Sequence, residues 1–147
     1  MEAKAASAAR EIRELTEEDI LQAPEQDYMN EDQLTFFKKR LLDLRVQLLQ
    51  NADDTGERLR ETEITTDPSD RATLEEEYTL ELRTRDREHK LLKKVEKSLR
   101  LIEAGEYGYC EETGEPIGIP RLLARPTATL SLEAQERREQ VQKLYGD

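Results

Sequence analysis

Asp67 and Asp70 stand three residues apart in TTDPSDRATLEEE, residues 65–77, with Pro68 between them and three glutamates beyond. Carboxylates on a rigid turn can cap a helix, present negative charge to a partner, or share a magnesium ion. A second group is basic: Arg83, Arg87, Lys90, Lys94 and Lys97 recur at 4, 3, 4, 3 and so share one helix face. Clustered Lys and Arg attract phosphate, and Arg can grip it bidentately; acids such as Glu81, Asp86, Glu88 and Glu96 could equally balance that face in water. A third group keeps the spacing of a structural zinc site without its ligands. Two C-x2-C pairs about 15–20 residues apart would make such a site, and the four positions here hold Cys110, Thr113, Ser131 and Ala134. One thiol survives, hydroxyls ligate zinc poorly and a methyl does not, so zinc is not expected. There is no Ser–His–Asp or Cys–His set and no Gly-rich phosphate loop. His89, the only histidine, lies among charged residues, so an enzyme is not expected.

These groups need elements to carry them. The 147 residues are 39% charged and 35% hydrophobic, with seven aromatics (five Tyr, two Phe) and no Trp. That is too little apolar material for a compact core of this length. Mixed charge with periodic leucine points instead to long paired helices. A net charge of −11 argues against DNA as the main partner. Cys110 is the only cysteine, so no internal disulfide forms. No run approaches a membrane span and the N-terminus lacks an h-region, so a cytoplasmic protein is expected.

The expected fold is mainly α: a long antiparallel coiled-coil hairpin, a small degenerate zinc-finger-like knob and a C-terminal helix. Residues 1–29 form a weakly ordered segment or short helix, opened by Thr16 and closed by Pro24. The hairpin covers 30–105, with an acidic tip near 60–72. Its first helix starts at Asn30, with Gln33 reaching back, and its seam runs through Leu34, Phe37, Leu41, Leu44 and Leu48, widened by Leu42 and Leu49. Gly56 is a weak point. The second helix opens with Asp67 as cap and Pro68 at its first position; its seam is Leu74, Tyr78 and Leu82, then Leu92, Val95, Leu99 and Ile102. Gly105 stops it. Residues 106–130 form the knob, packed on Tyr107, Tyr109, Ile117, Ile119, Leu122 and Leu123. The last helix covers 131–147 with Ser131 as cap.

From YMNEDQL onward, and most specifically in DPSDRA, EEEYTLELRTRDREHKLLKKVEKSL, YGYC with IGIPRL, and ARPTA, the chain resembles the DksA family, in its variants lacking the zinc cysteines. The resemblance implies a transcription regulator that inserts its coiled coil into the secondary channel of RNA polymerase. Such regulators destabilise open promoter complexes, notably at ribosomal RNA promoters, and cooperate with ppGpp in the stringent response, without sequence-specific DNA binding. By resemblance, Asp70 and Ala72 match the functional tip residues, with Asp67 and Arg71 beside them. Lys94 and Arg125 match residues that hold ppGpp, Arg87 and Leu91 lie beside them, and Gln135 stands where cysteine-bearing relatives have a lysine. Expected partners are RNA polymerase and the effector ppGpp, with no membrane, and the protein acts as a monomer. A structural coiled-coil adaptor and a Gre-like transcript cleavage factor are the alternatives.

Overall fold

The computed structural model describes residues 14–64 and 71–145, with side chains over 14–60 and 72–145. The chain order is α1 (Glu17–Gln22), a 3-10 turn (Glu25–Asp27), α2 (Glu31–Ile64), α3 (Arg71–Ala104), α4 (Ile119–Ala124) and α5 (Leu132–Tyr145). Helices α2 and α3, each 34 residues, pack along one another as a hairpin roughly 50 Å long.

Local chemistry explains where the helices begin and end. Thr16 caps α1 in a reciprocal box: the Asp19 amide donates to its Oγ1 at 3.2 Å, and its own amide donates to Asp19 Oδ2 at 3.0 Å. At α2 the Gln33 amide donates to Asn30 Oδ1 at 2.9 Å. Gln33 Oε1 accepts from Met29 N at 2.9 Å, one residue before the cap. That contact holds Met29 at a positive φ of 56°. Gly105, at φ 75°, ends α3, and the Glu106 amide bonds back to Leu101 O at 2.9 Å. Ser131 Oγ accepts from Ala134 N at 3.2 Å and caps α5. The expected opening of α3 at Asp67, Pro68 and Asp70 lies outside the described residues.

The core sits at the base of the hairpin. Phe37, Leu41, Leu48 and Val95 from the two long helices close against Ile20 of α1 and against Tyr107, Cys110, Ile117, Leu122, Ala128, Leu130 and Ala134 of the knob and α5. Of the residues expected to pack the knob, Tyr107, Ile117 and Leu122 are buried, Ile119 and Leu123 are half-buried, and Tyr109 is exposed. The knob chain turns back on itself at a Tyr109–Pro116 bridge, with Cys110 N donating to Glu115 O at 2.8 Å and Ile117 N to Gly108 O at 2.8 Å. Tyr107 donates its hydroxyl to Pro126 O at 2.7 Å, and burial pushes its pKa well above the usual tyrosine value.

Towards the tip the seam becomes polar. Stepping back from Val95 at heptad spacing gives Leu91, Glu88, Thr84, Glu81, Tyr78 and Leu74, all half-buried. Leu82 is one residue out of that register and is 41% exposed, so the expected Leu74–Tyr78–Leu82 seam does not hold at its last member. Opposite lie buried Thr55 and Leu59, and Arg58 reaches Glu81 across the hairpin at 3.7 Å. Gly56 does not break α2, although a mid-helix glycine costs about 1 kcal/mol against alanine.

Tyr28 ties the N-terminal segment to the knob. Its hydroxyl donates to Gly108 O at 2.6 Å and accepts from Gly118 N at 3.0 Å. Its ring meets Tyr109 edge-on at 5.7 Å. Gly108 is required here, because a Cβ would stand 2.7 Å from Met29 Sδ. Tyr28→Phe removes both hydrogen bonds and strands the Gly118 amide, while Gly108 O keeps Ile117 N. It is expected to cost roughly 1–3 kcal/mol, read as a lower urea midpoint with unchanged helicity. An unchanged midpoint would show that the clasp contributes nothing.

Ser98 presents the opposite case. Its Oγ is fully buried on α3 without a hydrogen-bond partner among the described residues. Ser98→Ala removes a desolvated hydroxyl and improves helix propensity, so stability should rise by about 1 kcal/mol. A fall in melting temperature would mean the hydroxyl is satisfied in solution.

Candidate functional site: the hairpin face, the knob and the last helix

Arg87, Leu91 and Lys94 follow one another at helical spacing on α3. Leu91 is half-buried against the core, while Arg87 and Lys94 are exposed. Arg87 lies 3.5 Å from the Thr84 hydroxyl. Lys94 has no hydrogen-bond or ion-pair partner among the described residues. Its neighbours on the stripe differ: Lys90 pairs with Asp86 at 3.0 Å, and Lys97 pairs with Glu111 of the knob at 2.6 Å.

The next knob residue, Glu112, takes Arg138 of α5 at 2.8 Å. A run of charge from α3 through Glu111 and Glu112 to α5 therefore ties three elements together. Each pair is solvent-accessible and contributes little stability, but together they fix how α5 leaves the knob. Lys94 stands one turn before Lys97, and Gln135 one turn before Arg138, so the two residues flank that run. The Gln135 side-chain amide donates to Glu139 Oε1 at 3.0 Å. Arg125 ends α4, exposed and without a side-chain partner among the described residues. The organising pair Glu111–Glu112 was missed by sequence reasoning, because adjacent acids in a turn carry no periodic signal.

At the other end of the hairpin, Asp67 and Asp70 lie outside the described residues. Arg71 begins α3, its side chain also outside them, and Ala72 is exposed in the first turn.

Of the other zinc-spaced positions, Thr113 and Ser131 hydrogen-bond the Cys110 sulfur. Burial pushes the thiol up, but hydrogen bonds from the Thr113 hydroxyl and the backbone amides of Ser131, Thr113 and Glu112 outweigh it and bring it down to about 6. Ala134 is buried in the same cluster. Among the described residues no group of three or more His, Cys, Asp or Glu side chains is placed to hold a metal ion. None of the described helices is long and apolar enough to cross a membrane.

A hairpin anchored at one end by a knob with knuckle-like turns defines a class of helical-rod proteins built around a small finger. Residues 33–102 match the model of the DnaK suppressor protein DksA N-terminal domain, and residues 105–140 match the prokaryotic dksA/traR C4-type zinc finger. The RNA polymerase-binding transcription factor DksA of Caulobacter vibrioides (strain NA1000 / CB15N) is 48% identical over 130 residues, covering 88% of this chain and 92% of that protein. Its namesake in Escherichia coli (strain K12) is 48% identical over 113 residues, covering 76% and 75%. The solved structure of transcription factor DksA2 from Pseudomonas aeruginosa superposes with a TM-score of 0.79 at 43% identity, covering 87% of this chain and 99% of that one. The chain belongs to the DksA family.

The finger match overturns the expectation that zinc has no place in this chain, because it points to zinc binding. The side chains at the four positions are one thiol, two hydroxyls and a methyl, a set that does not fit a four-thiolate tetrahedral centre.

Proposed function

We propose that this chain is a transcription regulator that binds RNA polymerase, and that it acts by contact rather than as an enzyme. The supporting observation is a two-helix rod with its core and anchoring contacts at one end, in a chain that aligns along most of its length with polymerase-binding relatives. In this reading the hairpin enters the secondary channel and the tip residues Asp67, Asp70, Arg71 and Ala72 approach the active site. There the carboxylates alter the field around the elements that hold the open complex, which shortens its lifetime. The exposed cations Arg87, Lys94 and Arg125, with Leu91 and Gln135, meet ppGpp at the polymerase surface, where Lys94 offers an ammonium group with no partner among the described residues to give up. The knob and α5 dock at the channel rim. The protein works as a monomer in the cytoplasm, without reading DNA sequence.

Pull-down with core RNA polymerase tests the first step; failure to bind returns the chain to the adaptor class. Incubation with a backtracked elongation complex tests the second. Shortened RNA in that assay would identify a Gre-like cleavage factor instead.

A further inference from the structure

Among the polar residues proposed to meet ppGpp, Gln135 alone has no charge, and its side-chain amide already donates to Glu139 on the next turn of α5 at 3.0 Å. A polyphosphate approaching α5 there meets a neutral amide that is engaged and a carboxylate beside it. Arg138 follows three residues on and so shares that face of the helix. Its guanidinium is held by Glu112 of the knob at 2.8 Å, yet the pair stays open to water, with side chains 52% and 38% exposed.

The knob brings Arg138 and the α3 stripe to one turn. Glu111 and Glu112 are consecutive, with Cα atoms about 3.8 Å apart; the first holds Lys97 at 2.6 Å and the second holds Arg138. The turn is pinned to the start of α5, since Glu111 N donates to Thr129 O at 2.9 Å and the Ser131 amide reaches the Cys110 sulfur. Lys94 lies one turn from Lys97 on α3, and Gln135 one turn from Arg138 on α5. A cation from each helix is thus carried to the same place, and ppGpp has two separate diphosphate groups to offer them.

An exposed ion pair of this kind is worth little, so a multiply charged phosphate group displaces the carboxylate at small cost. Arginine meets phosphate with two parallel N–H bonds and keeps its charge at every working pH. Glutamine offers one amide and no charge. Glu112 therefore orients the guanidinium in the free chain and competes with an incoming anion for it.

We propose that Arg138 is the α5 residue that engages the polyphosphate of ppGpp in place of position 135, and that Glu112 lowers affinity by competing for it. This rests on the effector reading above and adds the binding residue and its regulation. The test uses the full chain, saturating on RNA polymerase, and reads the ppGpp bound by the complex beyond that bound by polymerase alone. Arg138→Gln should weaken that binding at least fivefold and flatten its salt dependence. Glu112→Gln keeps shape, leaves Arg138 without its carboxylate and should strengthen binding at least twofold. Arg138→Gln with Gln135→Lys should return it to within twofold of the unaltered chain. Arg137→Gln removes the same charge from another side of α5 and should change it less than twofold. The opposed signs separate this role from a merely structural one, because removing either partner of a structural pair loosens α5 alike and moves binding the same way.

Parallel responses of Arg138→Gln and Glu112→Gln, or no response of either, overturn the proposal and leave ppGpp binding by the unaltered complex standing. So does a loss in Arg137→Gln as large as that in Arg138→Gln. If the unaltered complex binds no more ppGpp than polymerase alone, the effector reading itself fails and the proposal falls with it.

Discussion

Under the proposed function, Asp70→Asn is expected to retain binding to RNA polymerase within about twofold and to lose inhibition at ribosomal promoters by at least tenfold. The substitution keeps shape and removes one charge. Asparagine caps helices about as well as aspartate. Even a carboxylate placed at a helix N-terminus is worth only about 0.3–1 kcal/mol through the helix dipole. A purely local role therefore predicts almost no phenotype. A role in the polymerase active-site region predicts a large one: at about 8 Å and an effective dielectric of about 20, one pair of unit charges interacts by about 2 kcal/mol, or roughly thirtyfold in a rate. Binding is expected to survive because the proposed function puts docking on the knob and α5, which the hydrophobic core joins to α2 and α3 at the base of the hairpin. Affinity for core polymerase and open-complex lifetime, measured on the same preparation, separate the two quantities. Equal loss of both would show that the tip anchors as well as acts.

Phe37→Ala is expected to cost about 3–5 kcal/mol, enough to unfold a marginal protein of this size. Phe37 is fully buried, packs edge-on to Phe36 at 5.2 Å and lies against Tyr107 of the knob at 5.7 Å. The cavity cannot close easily, because it is walled by α2, α3 and the knob together. Arg40 crowds the far side: its guanidinium lies 5.0 Å from the Phe36 ring centroid and pairs with Glu17 of α1. Leu82→Ala is the control. It removes a larger-than-alanine side chain from a partly exposed position and should cost under about 1 kcal/mol. Urea unfolding followed by circular dichroism measures both. Similar losses from the two would place the stabilising core along the hairpin rather than at its base.

The difference between those two positions shows how far the sequence could be read. Phe37, Leu41, Leu48 and Val95 announce themselves by a 3–4 repeat, and they are buried. Leu82, Leu42 and Leu49 satisfy a looser version of the same repeat and are exposed. Hydrophobicity alone does not choose between adjacent registers; the base contacts do, by fixing Val95 against α2 and propagating one phase towards the tip. The helix-end signals that fall on described residues are local ones. Thr16, Asn30, Gly105 and Ser131 act within four residues of themselves, so their chemistry is written in neighbouring positions.

The candidate site divides in the same way. The alignment of Arg87, Leu91 and Lys94 on one face follows from helical periodicity. The pairing of Lys90 with Asp86 spans four residues of one helix and is legible in the sequence; that Glu111 engages Lys97, while Lys94 has no partner among the described residues, required the fold, because Glu111 meets α3 only after the knob has turned back. The Cys110 environment is likewise assembled from positions as far apart as Thr113 and Ser131.

By itself, then, the amino-acid sequence determined a mainly helical hairpin, its caps and stops, the phase of its basic face and the family it resembles, since each depends on neighbours within a few residues or on a repeat. Tertiary structure alone decided which leucines face water, which knob acid takes Lys97, and how the N-terminal segment clasps the knob through Tyr28. Those outcomes depend on groups separated by as many as 90 residues along the chain, and only folding brings such groups within hydrogen-bonding or packing distance.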